Sequence, residues 1–402
     1  MLVLLAVLAL AAALLRRWAR WQGTARTLEA LVIVGASALA LVGLLAAGLA
    51  ALGWFSAPAL VFVLTAAAVL TWPWGQVASG EPERLPPADG ARVWLIAAAL
   101  TLATLALRLP AIPAELGGRD QGSYILRARH TLRSGAIDLV DPVLATAGRE
   151  LGERPGPGDI FGLYPTVGDR ERAGRYEGAY RPGFYLADRA RGLVVPQFLH
   201  LHPTLLATCG LIFGPEHMPL LLHLEAVLSV LALWALGRRL LPAGPWALLA
   251  ASLYAAAPLA VWVHRTPLSE SLTGLLLLAA ALALARGLRA GGDFTVLAAL
   301  LLGATGWVRG NAWLAAPLLL AILWLLPNHP RRLLAPAGLF GLLVASLAAH
   351  VATSFPYLYD ELHRQLGALA PLSLPAVAGF ALLGAAAWLL GDRLLARHRG
   401  RV

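Results

Sequence analysis

The segment VWLIAAALTLATLALRLP, residues 93–110, decides the fold class. It is apolar for long enough to cross the roughly 30 Å hydrocarbon core of a bilayer as one helix, which takes about 20 residues. Backbone groups in lipid must be satisfied within their own segment, so such runs form helices. Together with ten further apolar runs, the segment predicts an all-α polytopic membrane protein with about 11 transmembrane helices. The other runs are 2–15, 28–50, 55–74, 217–236, 242–262, 267–286, 294–308, 310–326, 333–354 and 375–391.

Composition supports the same class. Hydrophobic residues make up 59% of the 402 residues and charged residues 13%, with a mean hydropathy of +0.70. Soluble domains carry about 25% charged residues. All 32 basic residues are arginine, and they collect at the ends of the apolar runs. The formal net charge of +10 therefore indicates membrane lipids as partners and no nucleic acid. The arginine-only, alanine- and leucine-rich composition is typical of GC-rich bacteria and predicts a location in the inner (plasma) membrane.

The arginines also orient the helices, because cytoplasmic loops carry an excess of basic residues. In the favoured topology every arginine cluster is cytoplasmic, the segment 199–213 lies at the membrane surface, and 294–326 crosses twice. A rival topology lets 199–213 cross and treats 294–326 as one broken span. Both place the loop 111–198 on the extracytoplasmic side. The clusters consist of Arg16, Arg17, Arg20 and Arg26, of Arg238 and Arg239, of Arg286 and Arg289, of Arg331 and Arg332, and of Arg393, Arg397, Arg399 and Arg401.

The loop 111–198 is rich in glycine, proline, arginine and aspartate, and it predicts short helices and turns on the membrane surface. The stretch 121–134 is compatible with a helix, because Ile125 and Leu132 fall on one face, and Gly135 is expected to end it. The chain divides into three regions. They are N-terminal helices with a cytoplasmic linker (1–92), a central module that includes the loop (93–326), and C-terminal helices with a basic tail (327–402).

The loop carries the first catalytic candidate, in Gly117-Gly118-Arg119-Asp120-Gln121-Gly122-Ser123-Tyr124. Asp120 follows the span 93–110 by ten residues and precedes the predicted helix. Aspartate is favoured at a helix N-cap, where its carboxylate accepts backbone N–H groups. An acid just outside a membrane helix can also act as a general base toward a hydroxyl or an amine. The two interpretations are compatible.

Glu270 is the second candidate. Thr266 and Pro267 resemble an N-cap and a first helical residue, so Glu270 is expected in the first turn of the span 267–286. The helix dipole favours an acid there. Ionisable groups at membrane depth also tend to face a cavity or a partner, and Arg265 is the candidate partner.

Arg309 is the third candidate, within Gly306-Trp307-Val308-Arg309-Gly310-Asn311. One interpretation is a side chain that snorkels from an apolar run to the interface. However, the flanking glycines permit close approach of a ligand, and arginine suits bidentate contact with phosphate. We therefore predict that Arg309 holds the phosphate of a lipid.

Metal and soluble-enzyme signatures are weak or missing. His200 and His202 are two residues apart, a spacing poorly suited to shared ligation on a helix or a strand, so we predict no metal site. The single cysteine, Cys209, excludes an intramolecular disulfide. His223 and Glu225 lie inside an apolar run and are expected to pair across helices. The sequence has no Walker lysine and no GxGxxG, HExxH or GxSxG motif.

In their order along the chain, these features resemble the GT-C glycosyltransferases. The shared features are an acid in the first external loop, a helix ended by glycine, a His-Pro entry to the next apolar run, an Arg/Pro/Glu element and a basic residue in a glycine-flanked break. Within that superfamily the chain is similar to bacterial and archaeal relatives of protein O-mannosyltransferases and of lipid A aminoarabinose transferases. The resemblance covers about residues 93–326 and depends on the order of individually loose motifs.

The resemblance implies inverting transfer of a sugar from a polyprenyl-phosphate or pyrophosphate donor to an extracytoplasmic lipid, glycan or protein acceptor. It assigns Asp120 as the catalytic base and Arg309, with Arg265 and Arg119, as donor phosphate ligands. No cofactor is implied, and a divalent cation is left open. The other cavity-lining residues are expected to be Gln121, Tyr124, His202 and Glu270.

Some positions depart from the family pattern. Gln121 stands where many relatives have a second acid, Leu201 replaces an acid before the His-Pro element, and Thr204 replaces a second proline. A second carboxylate could instead come from Glu150, Asp159, Asp169, Glu177 or Asp188. Two other functions fit the sequence: a carrier or flippase for lipid-linked sugars, and a non-catalytic scaffold. Transporters often pair broken helices across a repeat, and the break at 308–311 has no counterpart, which disfavours the carrier.

Overall fold

The computed structural model describes ten stretches of the chain, and most of them are helical. The described residues are 1–22, 27–72, 89–112, 119–151, 178–181, 184–188, 190–241, 244–290, 293–310 and 334–354. The helices are α1 (Leu2–Gln22), α2 (Leu28–Ala51), α3 (Ala57–Thr71), α4 (Ala91–Arg108), α5 (Arg119–Ser134), α6 (Pro142–Leu151), α7 (Leu201–Phe213), α8 (Leu220–Leu240), α9 (Gly244–Ala256), α10 (Pro258–Val263), α11 (Ser269–Ala290), α12 (Asp293–Thr305) and α13 (Leu334–Thr353). The strands are β1 (Leu139–Val140), β2 (Gly178–Arg181), β3 (Phe184–Asp188) and β4 (Leu193–Pro196).

Six helices in this part of the chain are long and apolar enough to cross a membrane: α1, α2, α4, α8, α11 and α13. The class of helical membrane protein is therefore as predicted, while the number of about 11 spans stays a prediction. The apolar run 242–262 is split into α9 and α10 at Pro258, because proline has no N–H for the preceding turn. Residues 311–326 of one predicted span and the whole of the predicted span 375–391 lie outside the described residues.

One end of the bundle, called here the basic end, gathers the arginines at the helix termini. Glu29 at the start of α2 pairs with Arg239 of α8 at 2.7 Å and also with Arg286 of α11. Asp89, just before α4, pairs with Arg238 at 2.9 Å. The structure does not describe the side chains of the remaining clustered arginines, which are Arg20, Arg26, Arg289, Arg331, Arg332 and those of the C-terminal tail.

The helix directions follow from these contacts. Since α2 and α4 start at the basic end while α8 and α11 finish there, the opposite end carries the loop that follows α4. We call it the loop end. The helices α12 and α13 run parallel, because Leu300 packs on Gly338 and Gly303 on Leu342. The topology that lets 294–326 cross twice requires this parallel arrangement.

The helix α7 is buried between other helices and does not lie on the surface. Its first residue, Leu201, packs on Gly43 of α2, where a Cβ atom would come within 2.6 Å of Leu201 Cδ2. This contact is about 12 Å below the end of α2, at 1.5 Å per residue. Gly210, near the other end of α7, packs on Met218, which precedes α8 at the loop end.

The segment 199–213 was predicted to lie at the membrane surface instead of crossing; the structure packs it inside the bundle, and its depth in the membrane stays a prediction. The chain enters the bundle from the loop end before α7 and returns to the same end along it. The helix has apolar residues on every side and no charged residue, which favours burial on every face. Its 13 residues are also too few to cross a bilayer.

The loop 111–198 contains a sheet, where the sequence predicted only short helices and turns. The four strands pair antiparallel in the order β1-β4-β3-β2. Leu144 of α6 and Val194 of β4 form the small core beneath them. Helix α5 ends at Ser134, and Gly135 has φ +75°, so the predicted glycine stop is confirmed.

Candidate active site

Arg309 lies just beyond α12, where the helix has given way to a turn at 306–308. Its Nη1 atom is 2.6 Å from Glu270 Oε1 and 3.3 Å from Ser269 Oγ, both in the first turn of α11. The glycine-flanked break predicted from the sequence is thus present. The side chains of Arg309 and Glu270 are 33% and 40% exposed, so a ligand can reach the pair.

Helix α5 of the loop supplies the third side of this site. The Tyr124 hydroxyl donates to Ser269 Oγ at 2.8 Å. The tyrosine ring stacks on Phe198 at 5.0 Å between centroids and meets the edge of His202 at 5.5 Å. We call the group Tyr124, His202, Ser269, Glu270 and Arg309 the Arg309 site. Ser269 Oγ accepts from both Tyr124 and Arg309, so its own proton remains to be donated to a third group.

The Tyr124 phenol stays protonated in this setting. Burial raises the pKa of Tyr124 to about 12, with a smaller opposing effect from the hydrogen bond to Ser269. A neutral phenol keeps its role as a donor over the physiological pH range.

Arg127, one turn after Tyr124 on α5, fixes the chain that leads into α7. Its Nη1 donates to the carbonyl oxygens of Gln197, Phe198 and Leu199, at 2.8, 3.3 and 3.1 Å. Its Nη2 contacts His200 Nδ1. Phe198 itself has φ 73°, an unusual conformation for a bulky residue. The guanidinium therefore holds a strained turn at the point where Phe198 presents its ring to Tyr124.

A buried acid lies next to the site. Glu225 of α8 accepts from the Ser271 hydroxyl and lies 3.6 Å from His202 Nδ1, measured to Oε1. Glu225 and His202 are both fully buried. His223 contacts the Arg108 carbonyl at 3.4 Å. The expectation that Glu225 and His223 pair across helices is confirmed.

Asp120 lies in the first turn of α5, one turn before Tyr124. Residues four apart share a helix face, so Asp120 and Tyr124 lie on the same side of α5. Asp120 and Gln121 are both half-buried. Asp120 is therefore inside the helix and not at its N-cap, a position where the helix dipole still favours a carboxylate. The Arg119 side chain lies outside the described residues.

Arg265 is not the partner of Glu270. Its Nε donates to the Pro110 carbonyl at 3.2 Å, and its own carbonyl accepts from Ile112 N at 2.7 Å. The prediction was wrong because α11 begins only at Ser269. Thr266 is therefore not the N-cap, and its hydroxyl donates back to Trp262 O.

Sequence reasoning also missed two residues. Ser269 directly precedes the candidate Glu270. Its position at the start of α11 was the signal that could have indicated a role in the site. Arg127 gave no local signal, because its carbonyl partners lie about seventy residues away. Among the acids proposed as a second carboxylate, Asp188 accepts from Arg191 N at the end of β3. Glu150, Asp159, Asp169 and Glu177 have side chains outside the described part.

His200 and His202 point to different neighbours. His200 contacts Arg127, Thr353 and Ser354, whereas His202 faces Tyr124 and Glu225. Within the described stretches, no group of three or more histidine, cysteine, aspartate or glutamate side chains is placed to hold a metal ion.

Comparison of the chain with protein-family models, with curated proteins and with solved structures finds no match.

Proposed function

We propose that the protein is a membrane glycosyltransferase of the GT-C type. It transfers a sugar from a polyprenyl-phosphate or pyrophosphate donor to an extracytoplasmic lipid, glycan or protein acceptor, with inversion at the anomeric carbon. The observation that carries the proposal is the convergence of three distant segments at the loop end. Arg309, Glu270 and Ser269 are in direct contact there, and Tyr124 of the external loop is hydrogen-bonded to Ser269.

The donor phosphate binds Arg309 in place of Glu270. A guanidinium offers a planar pair of donors that matches phosphate oxygens, and the partial exposure of both side chains allows the exchange. Ser269 donates its remaining proton to a phosphate oxygen. These donors stabilise the negative charge that grows on the leaving group. Arg265 lies at the same end of the bundle, hydrogen-bonded to the segment after α4, and with Arg119 it is a further cation for a pyrophosphate.

Asp120 is the general base. Its carboxylate takes the proton of the acceptor hydroxyl or amine as that atom attacks the anomeric carbon, on the face opposite the phosphate. The bond from the anomeric carbon to the phosphate oxygen breaks, and the phosphate leaves with the electron pair. Because the phosphate is a stable anion, no strong general acid is required. Help from a general base contributes about 10²–10⁴-fold to the rate.

The sidedness follows from the arginines. If the basic end faces the cytoplasm, as the excess of arginine in cytoplasmic segments predicts, the Arg309 site opens on the extracytoplasmic side of the bacterial inner membrane. Polyprenyl-linked sugars present their head groups at that surface after translocation. The membrane lipids and the prenyl chain of the donor are therefore partners of the same helices.

Transfer of label from a radiolabelled polyprenyl-phosphate sugar tests the proposal. Membranes that contain the wild-type protein are expected to form a new labelled product, and Asp120→Asn is expected to form at least 100-fold less. Asp138→Asn is the matched control, because this acid is exposed in the same loop and outside the Arg309 site. Both variants must insert into the membrane and purify as the wild type does.

The same assay separates the alternatives. Label that changes leaflet without a change of chemical form would identify a carrier, and protein that binds the donor without either event would identify a scaffold. Full activity of Asp120→Asn would remove this carboxylate from the mechanism.

A further inference from the structure

A second cationic site lies at the loop end, around Arg108 at the end of α4. Helix α4 buries one narrow stripe, formed by Ala97, Leu100, Thr104 and Arg108. At the loop end this stripe becomes polar, and Arg108 is fully buried. Arginine keeps its charge in proteins, and an unpaired charge at membrane depth is costly, so such a residue calls for a partner.

The partners that Arg108 has are only backbone carbonyls. Nη1 donates to Ala255 O at 2.9 Å and to Thr104 O at 3.3 Å. The Nε and Nη2 atoms are buried without a hydrogen-bond partner, and no carboxylate within the described stretches forms an ion pair with Arg108. By contrast, the buried Arg286 at the basic end has the Glu29 carboxylate. Arg108 therefore retains three N–H groups that can serve an anion.

Two histidines, His223 and His264, lie close enough to Arg108 for the guanidinium charge to act on their rings. His223 contacts the Arg108 carbonyl through Nε2 at 3.4 Å, and His264 contacts Ala260 O through Nδ1 at 2.7 Å. A carbonyl oxygen only accepts, so these nitrogens carry the ring protons. The other nitrogens, His223 Nδ1 and His264 Nε2, are buried without a partner. In the neutral ring each of these nitrogens is an acceptor, so it can accept a hydrogen bond from the hydroxyl of a protonated phosphate or phosphomonoester group.

We propose that Arg108, His223 and His264 form a binding site for a phosphate-type anion, separate from the Arg309 site. The anion meets the Nε–H and Nη2–H groups of Arg108 in the bidentate manner that suits phosphate. Its source is either free phosphate or the phosphomonoester head group of a lipid. The segments next to Arg108 and His264 are joined by the hydrogen bonds between Arg265 and residues 110 and 112, which must open to admit the ligand.

The test uses full-length protein in dodecyl maltoside without phosphate. The thermal unfolding midpoint is followed by tryptophan fluorescence during titration with inorganic phosphate or with short-chain phosphatidic acid, at ionic strength held constant with chloride. We expect a saturable rise of the midpoint. A response to inorganic phosphate identifies a soluble anion as the ligand, and a response to phosphatidic acid alone identifies a lipid head group. Either response supports the site if Arg108 controls it.

Arg108→Gln is expected to raise the half-saturating concentration at least tenfold, because charge-assisted hydrogen bonds are lost. Arg286→Gln is the matched control: it also removes a buried arginine from a membrane helix, and it should respond as the wild type does. His264→Gln keeps Arg108 and tests the site if Arg108→Gln does not fold; it is expected to weaken binding several-fold. The proposal is overturned if the wild type shows no saturable rise of the midpoint. It is also overturned if Arg108→Gln has the same half-saturating concentration as the Arg286→Gln control. If Arg108→Gln does not fold, His264→Gln is compared with that control instead, and equal half-saturating concentrations overturn the proposal.

This site does not use Asp120, Ser269, Glu270 or Arg309, on which the proposed sugar transfer depends. Asp120→Asn should keep the response to the anion while it loses transfer. The two proposals can therefore fail separately.

Discussion

Replacement of Arg127 by methionine is predicted to destabilise the protein strongly, although the residue lies outside the apolar core. The side chain is 5% exposed, and its guanidinium serves the carbonyls of Gln197, Phe198 and Leu199 as well as the His200 ring. Each buried acceptor left without its donor costs about 1–3 kcal/mol. Because one group serves all of them, the losses do not add in full. We expect a total of about 3–5 kcal/mol, the range found when a buried charged contact is broken.

The free energy of unfolding can be measured by titration of the detergent-solubilised protein with sodium dodecyl sulfate, followed by tryptophan fluorescence. Arg133→Met is the control, because Arg133 is exposed in the last turn of the same helix and should change stability by less than about 0.5 kcal/mol. The Phe198 turn should also loosen, so donor binding by Arg127→Met should weaken even where the protein is folded. If the two variants are equally stable, Arg127 does not hold the entry to α7.

Three further predictions concern the site and its loop. Arg309→Gln should raise the half-saturating donor concentration at least tenfold in the transfer assay. Arg309→Lys should raise it less, because lysine keeps the positive charge but lacks the planar pair of N–H donors. Tyr124→Phe removes the bond to Ser269 and should cost about 1 kcal/mol of stability. Since burial raises the pKa of Tyr124 to about 12, the phenol is lost as a donor only above that pH, so wild type and Tyr124→Phe should show the same pH profile up to about pH 10. Gly192→Ala should destabilise the sheet by at least about 1 kcal/mol, because φ is +64° and the new Cβ would lie 2.2 Å from Asp141 O. Proteolysis of the loop should then be faster than in the wild type, and an unchanged rate would contradict this prediction.

The membrane helices and two site residues could be predicted because their signals are local. Apolar length alone indicates helices such as α2 and α11, and Gly135 marks the end of α5 through its positive φ. Arg309 and Glu270 stand out because ionisable residues are rare within apolar runs. Their mutual contact did not follow from the sequence, since it depends on where α11 begins.

Contacts between distant segments account for the rest. The sheet joins short strands, the longest of five residues, that carry little alternating pattern. The burial of α7 depends on Gly43, more than 150 positions earlier in the chain, which allows the close approach of Leu201. Arg127 and Arg108 likewise donate to backbone carbonyls that the fold brings close. Every residue has a carbonyl, so the sequence does not indicate which ones accept these hydrogen bonds.

A structure of the protein with a polyprenyl-phosphate sugar bound, determined by electron cryo-microscopy in a lipid nanodisc, would show directly whether the Arg309 site holds the donor. We expect the phosphate within hydrogen-bond distance of Arg309 and Ser269, and the anomeric carbon facing Asp120 with room for an acceptor between them. A phosphate bound away from Arg309, or a sugar that Asp120 cannot reach, would contradict the proposed transfer.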